Sequence, residues 1–358
     1  MIHEVVVVGG GVAGAAAAVR LAQHGARLLW ITGRAQDGFK PGEHLSAAAL
    51  PMLKTLNSDA ILRSEVHRHA HSTYSAWGSD ALIERNAIVQ LEGPPTVLDR
   101  TTFEQALAQQ AETAGVTRVI GDVTDLCIAD DTWHITCGGE THTARFIFDA
   151  TGRKAIVASR FATRFQADKL GCQYALYTAP NGSVPRPVTL IEAEEQGWWY
   201  LSTLADGRCV VNFYTDTDLP GFPTDELDKH ARTTKAIAAY LDDHGFQPSS
   251  RPKRVASNSA WIAPAIGAGW CAVGDASAAF DPLSSHGMTT ALWSAITAAD
   301  AFAAQDRQKM QDYADAVAKG VQDYLSARSA VYGREMRWPH SLFWARRATQ
   351  TDQTQLPA

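Results

Sequence analysis

Two glycine-bearing turns, far apart in the chain, hold the residues whose types and spacing could do chemistry. Near the start, Gly9, Gly11 and Gly14 form G-x-G-x-x-G in "VVGGGVAGAAA", directly after an apolar run and directly before an alanine-rich one. Between a strand and a helix, the first glycine permits a tight turn and the second lets the backbone approach a pyrophosphate. The third lets the helix pack close to the strand. The phosphates then rest on the positive helix start, which places Val12 and Ala13 beside them. Much later, "DPLSSHGMTTAL", residues 281 to 292, sets Pro282, two serines, His286 and Gly287 before a second helix-like run. Such a turn offers unpaired N–H groups, here of Gly287 and Met288, to negative charge, with Ser284 or Ser285 as the expected cap. His286 is the one titratable side chain from Pro282 to Met288, suited to moving a proton, orienting a substrate, or simply packing at the helix start.

These turns need elements to position them. Residues 4 to 8 read as a buried strand, 14 to 24 as a helix stopped by Gly25, and 27 to 31 as a second strand, a β-α-β unit that implies a parallel sheet. A helix follows at about 101 to 114, then strands at roughly 117 to 128, 132 to 137 and 142 to 148. From about 170 to 216 the pattern changes to β-branched and aromatic runs, "GWWYLSTL" and "RCVVNFYT", joined through "DG" as a hairpin. A helix is expected from Thr224 to about 243, with Asp225 and Glu226 in its first turn, and strands near 255 to 262 and 269 to 273 lead to the helix at 287 to 304. The fold expected is α/β: a discontinuous Rossmann-like dinucleotide-binding domain with a second, antiparallel-sheet substrate domain and C-terminal helices. The first is built from 1–40, 95–165 and 255–305, the second from 41–94 and 166–254, with 306–358 as a C-terminal helical segment.

With 358 residues, 46% of them hydrophobic, the chain is long enough for two lobes with full cores. A net charge of −6 gives no global attraction to nucleic acid or to an anionic membrane. No run of about 18 uninterrupted apolar residues occurs, so no membrane span is expected. Cys127, Cys137, Cys172, Cys209 and Cys271 form no C-x-x-C pair, which argues against zinc and disulfides and fits a reducing cytoplasm. His67, His69 and His71 alternate in "HRHAHSTYSAWGSD", but no further clustered ligands follow, and no metal site is expected.

The second strand ends at "WITGR", where Thr32 stands in the place usual for a ribose-binding acid. Arg34 is the nearest charge, able to stack on adenine, reach a phosphate, or remain a solvated surface arginine, and Asp37 is a weaker candidate for the ribose. The glycines alone do not distinguish NAD from FAD. "GDASAAFDPLSSHGMTTAL" resembles the G-D-A-x-x-x-x-D-P-x-x-x-x-G pattern of the FAD-dependent aromatic hydroxylase and halogenase superfamily. "KPGEHLSAAAL", "AWGSD" with "VLDRTTF", and "FDATGRK" follow that superfamily's order along nearly the whole chain. The resemblance implies FAD as cofactor, with Asp275 on the ribitol, Asp99 and Arg100 near the cofactor, Asp149 to Gly152 passing close to the dinucleotide, and Glu43 by the ribose or the flavin entrance. For each acid the plainer alternative is a cap or a surface salt bridge.

"REMRWPHSLFWARR" and "GWWYLSTLADGRCVVNFYTD" are similar, more narrowly, to flavoproteins that mature tryptophylquinone-containing amino-acid oxidases of the lysine ε-oxidase and glycine oxidase type. That likeness implies a monooxygenase that hydroxylates an electron-rich ring through a C4a-hydroperoxyflavin, the ring being an aromatic small molecule or a tryptophan of a precursor protein. Trp198, Trp199 and Tyr200 alternate on a sheet, each better suited singly to the core than to a substrate. No second G-x-G-x-x-G is present, so electrons would come from transiently bound NAD(P)H or from a separate reductase. A halogenase is the near alternative. By resemblance that class uses a lysine in the segment corresponding to 65–80 and a W-x-W-x-I-P motif, whereas here no lysine lies between Lys54 and Lys154 and the aromatic stretch reads "GWWYLSTL". His71 is the candidate substitute for that lysine. A flavoprotein scaffold for a partner and an NAD(P)-dependent dehydrogenase are the other readings. The intact turn argues against the scaffold, and the missing acid with the D-P turn argues against the dehydrogenase.

Overall fold

The computed structural model describes residues 2–34, 38–70, 72–86, 93–180, 185–219 and 226–348. The chain divides into two compact units, the first made of Met1–Ser64, Arg100–Gln166 and Ala260–Val321, the second of Glu65–Asp99, Ala167–Ser259 and Gln322–Ala358.

In the first unit the apolar run Ile2–Val8 forms the middle of a sheet, parallel to Glu140–Asp149 on one side and to Leu28–Thr32 on the other. Thr117–Ile120 and Trp270–Ala272 extend the parallel order outward. Val8 lies opposite both Ile31 and Asp149, and Asp149 opposite Ala272, so these strands end along one carboxyl edge. Ligands of open α/β sheets bind at such an edge. Val6, Val8, Leu29, Ile31, Ile147, Trp133 and Trp270 make the core on one face. Over the sheet, helix Val12–Gln23 lies against helix Gly287–Ala303, both rich in buried alanines that allow close approach.

The strand expected from 117 to 128 is two strands. Thr117–Ile120 stays in the parallel sheet, the chain turns at Gly121 and Asp122, and Val123–Ala129 pairs antiparallel with Thr132–Cys137. Residues 41–64, expected with the second domain, group with the first unit, where the Leu50–Thr55 helix packs near the Gly287–Ala303 helix. Residues 95–99 and 255–259 group with the second, and the expected separate segment 306–358 is divided after Val321.

The second unit is a sheet in the order Gln247–Pro248, Leu170–Thr178, Cys209–Asp216, Gly197–Thr203, Val188–Glu194, Ser72–Ala76, Ile83–Asn86, with Lys253–Ala256 also paired to Leu170–Thr178. The expected hairpin joins Gly197–Thr203 to Cys209–Asp216, and every pairing is antiparallel except Val188–Glu194 with Ser72–Ala76. The helix expected from Thr224 begins outside the described residues and is broken, into Leu227–Ala231 and Ala236–Asp243. Buried Glu192 explains the break: its carboxylate accepts the N–H groups of Lys235, Ala236 and Ile237, capping a fresh helix start. Trp199 packs with Leu201, Val211 and Phe213 on one face. On the other, Trp198 stacks on Tyr214 at 4.0 Å and donates to the Tyr332 hydroxyl at 3.0 Å. Both tryptophans are therefore core residues, and Tyr200 is half-buried.

Candidate functional site

At the carboxyl edge of the first unit, close packing dictates the glycine turn. Gly9 has φ +127°, and a β-carbon there would lie 2.0 Å from the Ala150 carbonyl oxygen. One at Gly14 would lie 1.9 Å from the Gly9 oxygen. Both contacts are impossible, so these positions accept only glycine. Gly11 differs: a β-carbon there would meet nothing within 4 Å. The chain leaves that space open above the start of helix Val12–Gln23, which has no side-chain cap. A backbone that is open at the second glycine and uncapped at the helix start fits a pyrophosphate. Trp30, which no motif marks, donates its indole N–H to the Gly9 carbonyl at 2.8 Å and pins the turn from the neighbouring strand. Thr32 is buried, its hydroxyl accepting from Arg118 Nε at 3.1 Å, and Arg34 is exposed just beyond. Asp37 lies outside the described residues.

The second turn lies in the same unit. Gly274 is so near the first that a β-carbon on it would be 2.7 Å from Ala13 Cβ, which brings the two motifs together. Asp275 follows on the Gly274–Ala276 turn. Its side chain leaves 39% of its surface open, yet desolvation by the surrounding atoms pushes its carboxyl pKa above the usual range, opposed by the charges of Arg153, Arg100 and Lys40. Open but heavily surrounded describes a group on the floor of a cleft. Arg153 Nε stands 3.7 Å from it. Arg153 falls within "FDATGRK" and was signalled only by that motif.

Asp281 caps the short Pro282–Ser284 turn by accepting Leu283 N–H at 2.9 Å, and Ser285 adopts a left-handed conformation. Helix Gly287–Ala303 then begins with His286 in the capping position and no side-chain cap. The serines therefore do not cap it; Ser284 Oγ accepts from His286 N–H at 3.4 Å. The first-turn N–H groups of Gly287 and Met288 carry no side-chain cap, a β-carbon at Gly287 would meet nothing within 4 Å, and among the described residues the buried Thr289 hydroxyl finds no partner. These orphaned donors fit the anionic edge of a flavin. His286 is exposed beside them.

The remaining predicted residues separate. Asp149 is fully buried and saturated: Oδ1 accepts from Thr151 N–H and hydroxyl, Oδ2 from Val157 and Ala158 N–H at 2.8 and 2.9 Å. Its four bonds hold the 150–158 loop, whose Ala150 carbonyl lies against the Gly9 turn. Gly152, with φ +63°, remains in the open on that loop. Glu43 is buried and accepts Gly42 N–H at 3.2 Å, while burial holds the adjacent His44 below the usual imidazole range. Arg100 donates to the Gly42 carbonyl at 2.6 Å and pairs with Glu104, which also binds Lys40 at 2.9 Å. Among the described residues Arg100 Nε is buried without a partner. In the second unit, Asp99 N–H donates to His67 Nδ1 at 3.1 Å. His71 lies outside the described residues. No group of three or more His, Cys, Asp or Glu among the described residues could hold a metal, and no described helix is long and apolar enough to cross a membrane.

An FAD-binding domain family model matches residues 4–99, and the tryptophan halogenase family model matches residues 96–357. The chain is 27% identical to LodB of Marinomonas mediterranea, described as an FAD-dependent oxidoreductase, over 96% of each chain. It is 25% identical to tryptophan 2-halogenase of Chondromyces crocatus, over 83% of this chain and 60% of that one. Among solved structures, the peptidyl tryptophan dihydroxylase QhpG, essential for tryptophylquinone cofactor biogenesis, superposes with a TM-score of 0.79 and 25% identity, covering 100% of this chain and 81% of its own. The resemblance read from the four motifs is borne out, and with it FAD as the cofactor. The chain is an FAD-dependent oxidoreductase and belongs to the tryptophan halogenase family.

Proposed function

We propose that this protein is a monooxygenase that hydroxylates an electron-rich aromatic ring, a tryptophan of a partner precursor protein in quinone cofactor biogenesis. The observation that carries this reading is the full-length likeness to a peptidyl tryptophan dihydroxylase, at 25% identity over 100% of this chain. Bound, reduced flavin supplies an activated oxygen atom that an indole can accept. The chain's own residues do the rest. The space above Gly11 and the uncapped helix start seat the pyrophosphate, and Asp275 accepts from the ribitol. The N–H groups of Gly287 and Met288 hold negative charge at the pyrimidine edge, and Pro282 fixes the turn that aims them. Val12, Ala13, Arg34, Glu43, Arg100 and Gly152 complete the cofactor's surroundings, Glu43 and Arg100 by shaping the Pro41–Gly42 loop. His286, exposed at the helix start, passes a proton or positions the ring.

Halogenation is the second reading, favoured by the family match and the halogenase relative. Against it, no lysine lies between residues 54 and 154. NAD(P)H or a separate reductase delivers the electrons, and the five free cysteines support a reducing, cytoplasmic setting. The test is to reduce the holoenzyme, add oxygen with chloride and bromide, and offer free indoles, phenols and candidate precursor proteins. Mass spectrometry is expected to find added oxygen on a precursor tryptophan. Added halogen overturns the reading, and peroxide as the sole product with every substrate supports a scaffold instead.

A further inference from the structure

We infer that Asp122 takes the place of the missing ribose-binding acid and accepts hydrogen bonds from the adenosine ribose of FAD. A Rossmann-like site usually finds this acid at the end of the second strand. Here that position is Thr32, a buried residue whose hydroxyl is already engaged by Arg118 at 3.1 Å. The next strand of the parallel sheet supplies a carboxylate at the same edge. Thr117–Ile120 pairs with Leu28–Thr32 so that Ile120 faces Thr32, and Gly121 N–H donates to the Thr32 carbonyl at 2.8 Å. The two strand ends are thereby locked side by side, and Asp122 emerges beside the residue that follows Thr32. A β-carbon added at Gly33 would lie 3.4 Å from Asp122 Oδ1, so the lack of a side chain at Gly33 leaves that oxygen uncovered.

Among the described residues, two other acids of this unit are occupied. Glu112 pairs with Arg118 at 3.1 Å and Asp149 is saturated within its loop. Asp122 is exposed and makes no hydrogen bond or ion pair among the described residues. A carboxylate with two open oxygens suits a pair of vicinal hydroxyls, and hydrogen bonds to carboxylates are among the stronger kind. The break of the expected long strand at Gly121 and Asp122 then has a purpose, since an unbroken strand would carry this side chain past the edge.

The inference rests on the Gly9–Gly14 turn as the seat of the pyrophosphate, and it is independent of the reaction catalysed. The experiment strips the holoenzyme of flavin and titrates the apoprotein with FAD and with FMN, which lacks the adenosine, following flavin fluorescence. Asp122→Ala is expected to weaken FAD by about tenfold or more while leaving FMN binding and the apoprotein melting temperature unchanged. Glu112→Ala, at the neighbouring acid, is expected to leave FAD binding unchanged. Unaltered FAD binding in Asp122→Ala, or an equal loss of FAD and FMN, overturns the inference. Gly11→Val reports separately on the seat: if it binds FAD normally, the pyrophosphate placement fails, whereas a defect there with a normal Asp122→Ala removes Asp122 alone.

Discussion

In the first unit the helix starts after Gly11 and after His286 both lack side-chain caps, and they are built by opposite means. The first is fixed by exclusion: at Gly9 and Gly14 the backbone of neighbouring residues occupies the volume a side chain would need. The second is fixed by local turn chemistry, with Pro282 restraining the chain, Asp281 capping the short turn and Ser285 reversing it. At Gly9 and Gly14 the first accepts no side chain, and it carries no reactive group. The second exposes a histidine beside open N–H groups. In the function proposed above, one start holds the cofactor and the other serves what happens on it.

Substitutions sharpen this contrast. The largest effect is expected at Gly14→Ala, whose β-carbon would meet the Gly9 carbonyl at 1.9 Å. Roughly 3 kcal/mol or more of stability should be lost, seen as a lowered melting temperature and flavin-free protein. Gly11→Val meets no protein atom, so the apoprotein should melt as the parent does while FAD affinity falls roughly a hundredfold. Similar melting losses at both glycines would break the distinction between packing and seat. At the second start, His286→Ala is expected to keep its flavin and lose about ten- to a hundredfold in hydroxylation rate, with more hydrogen peroxide released per electron pair. Unchanged coupling would leave His286 as packing.

The smallest effect concerns Asp275. Because burial raises its pKa in the folded protein, its ionised form opposes folding at neutral pH and ceases to do so once pH falls below the unfolded value near 4. Asp275→Asn should raise the apoprotein's melting temperature by a few degrees at pH 7, and the gain should vanish on acidification toward pH 3. A gain that persists at pH 3 would contradict the assignment.

Much of this was legible in the chain. Strand, glycines and helix at residues 2–23 are a local pattern, as is the D-P turn, because each is made by neighbours in sequence. What was not legible depends on distant partners. Asp149 stands in a recognisable motif, but only the fold shows four donors converging on it. Glu192 breaks a helix more than forty residues away, and Trp30 holds Gly9 from the next strand. Residues 41–64 group with the first unit, where their helix lies near residues some 240 positions later, a contact that no local periodicity reports.

The most direct measurement of the central claim is the mass of a precursor protein's tryptophan after turnover by the reduced holoenzyme under isotopically labelled dioxygen, with chloride and bromide present. The account predicts labelled oxygen on the indole ring and no halogen. A halogenated indole, or oxygen that carries no label, would contradict it.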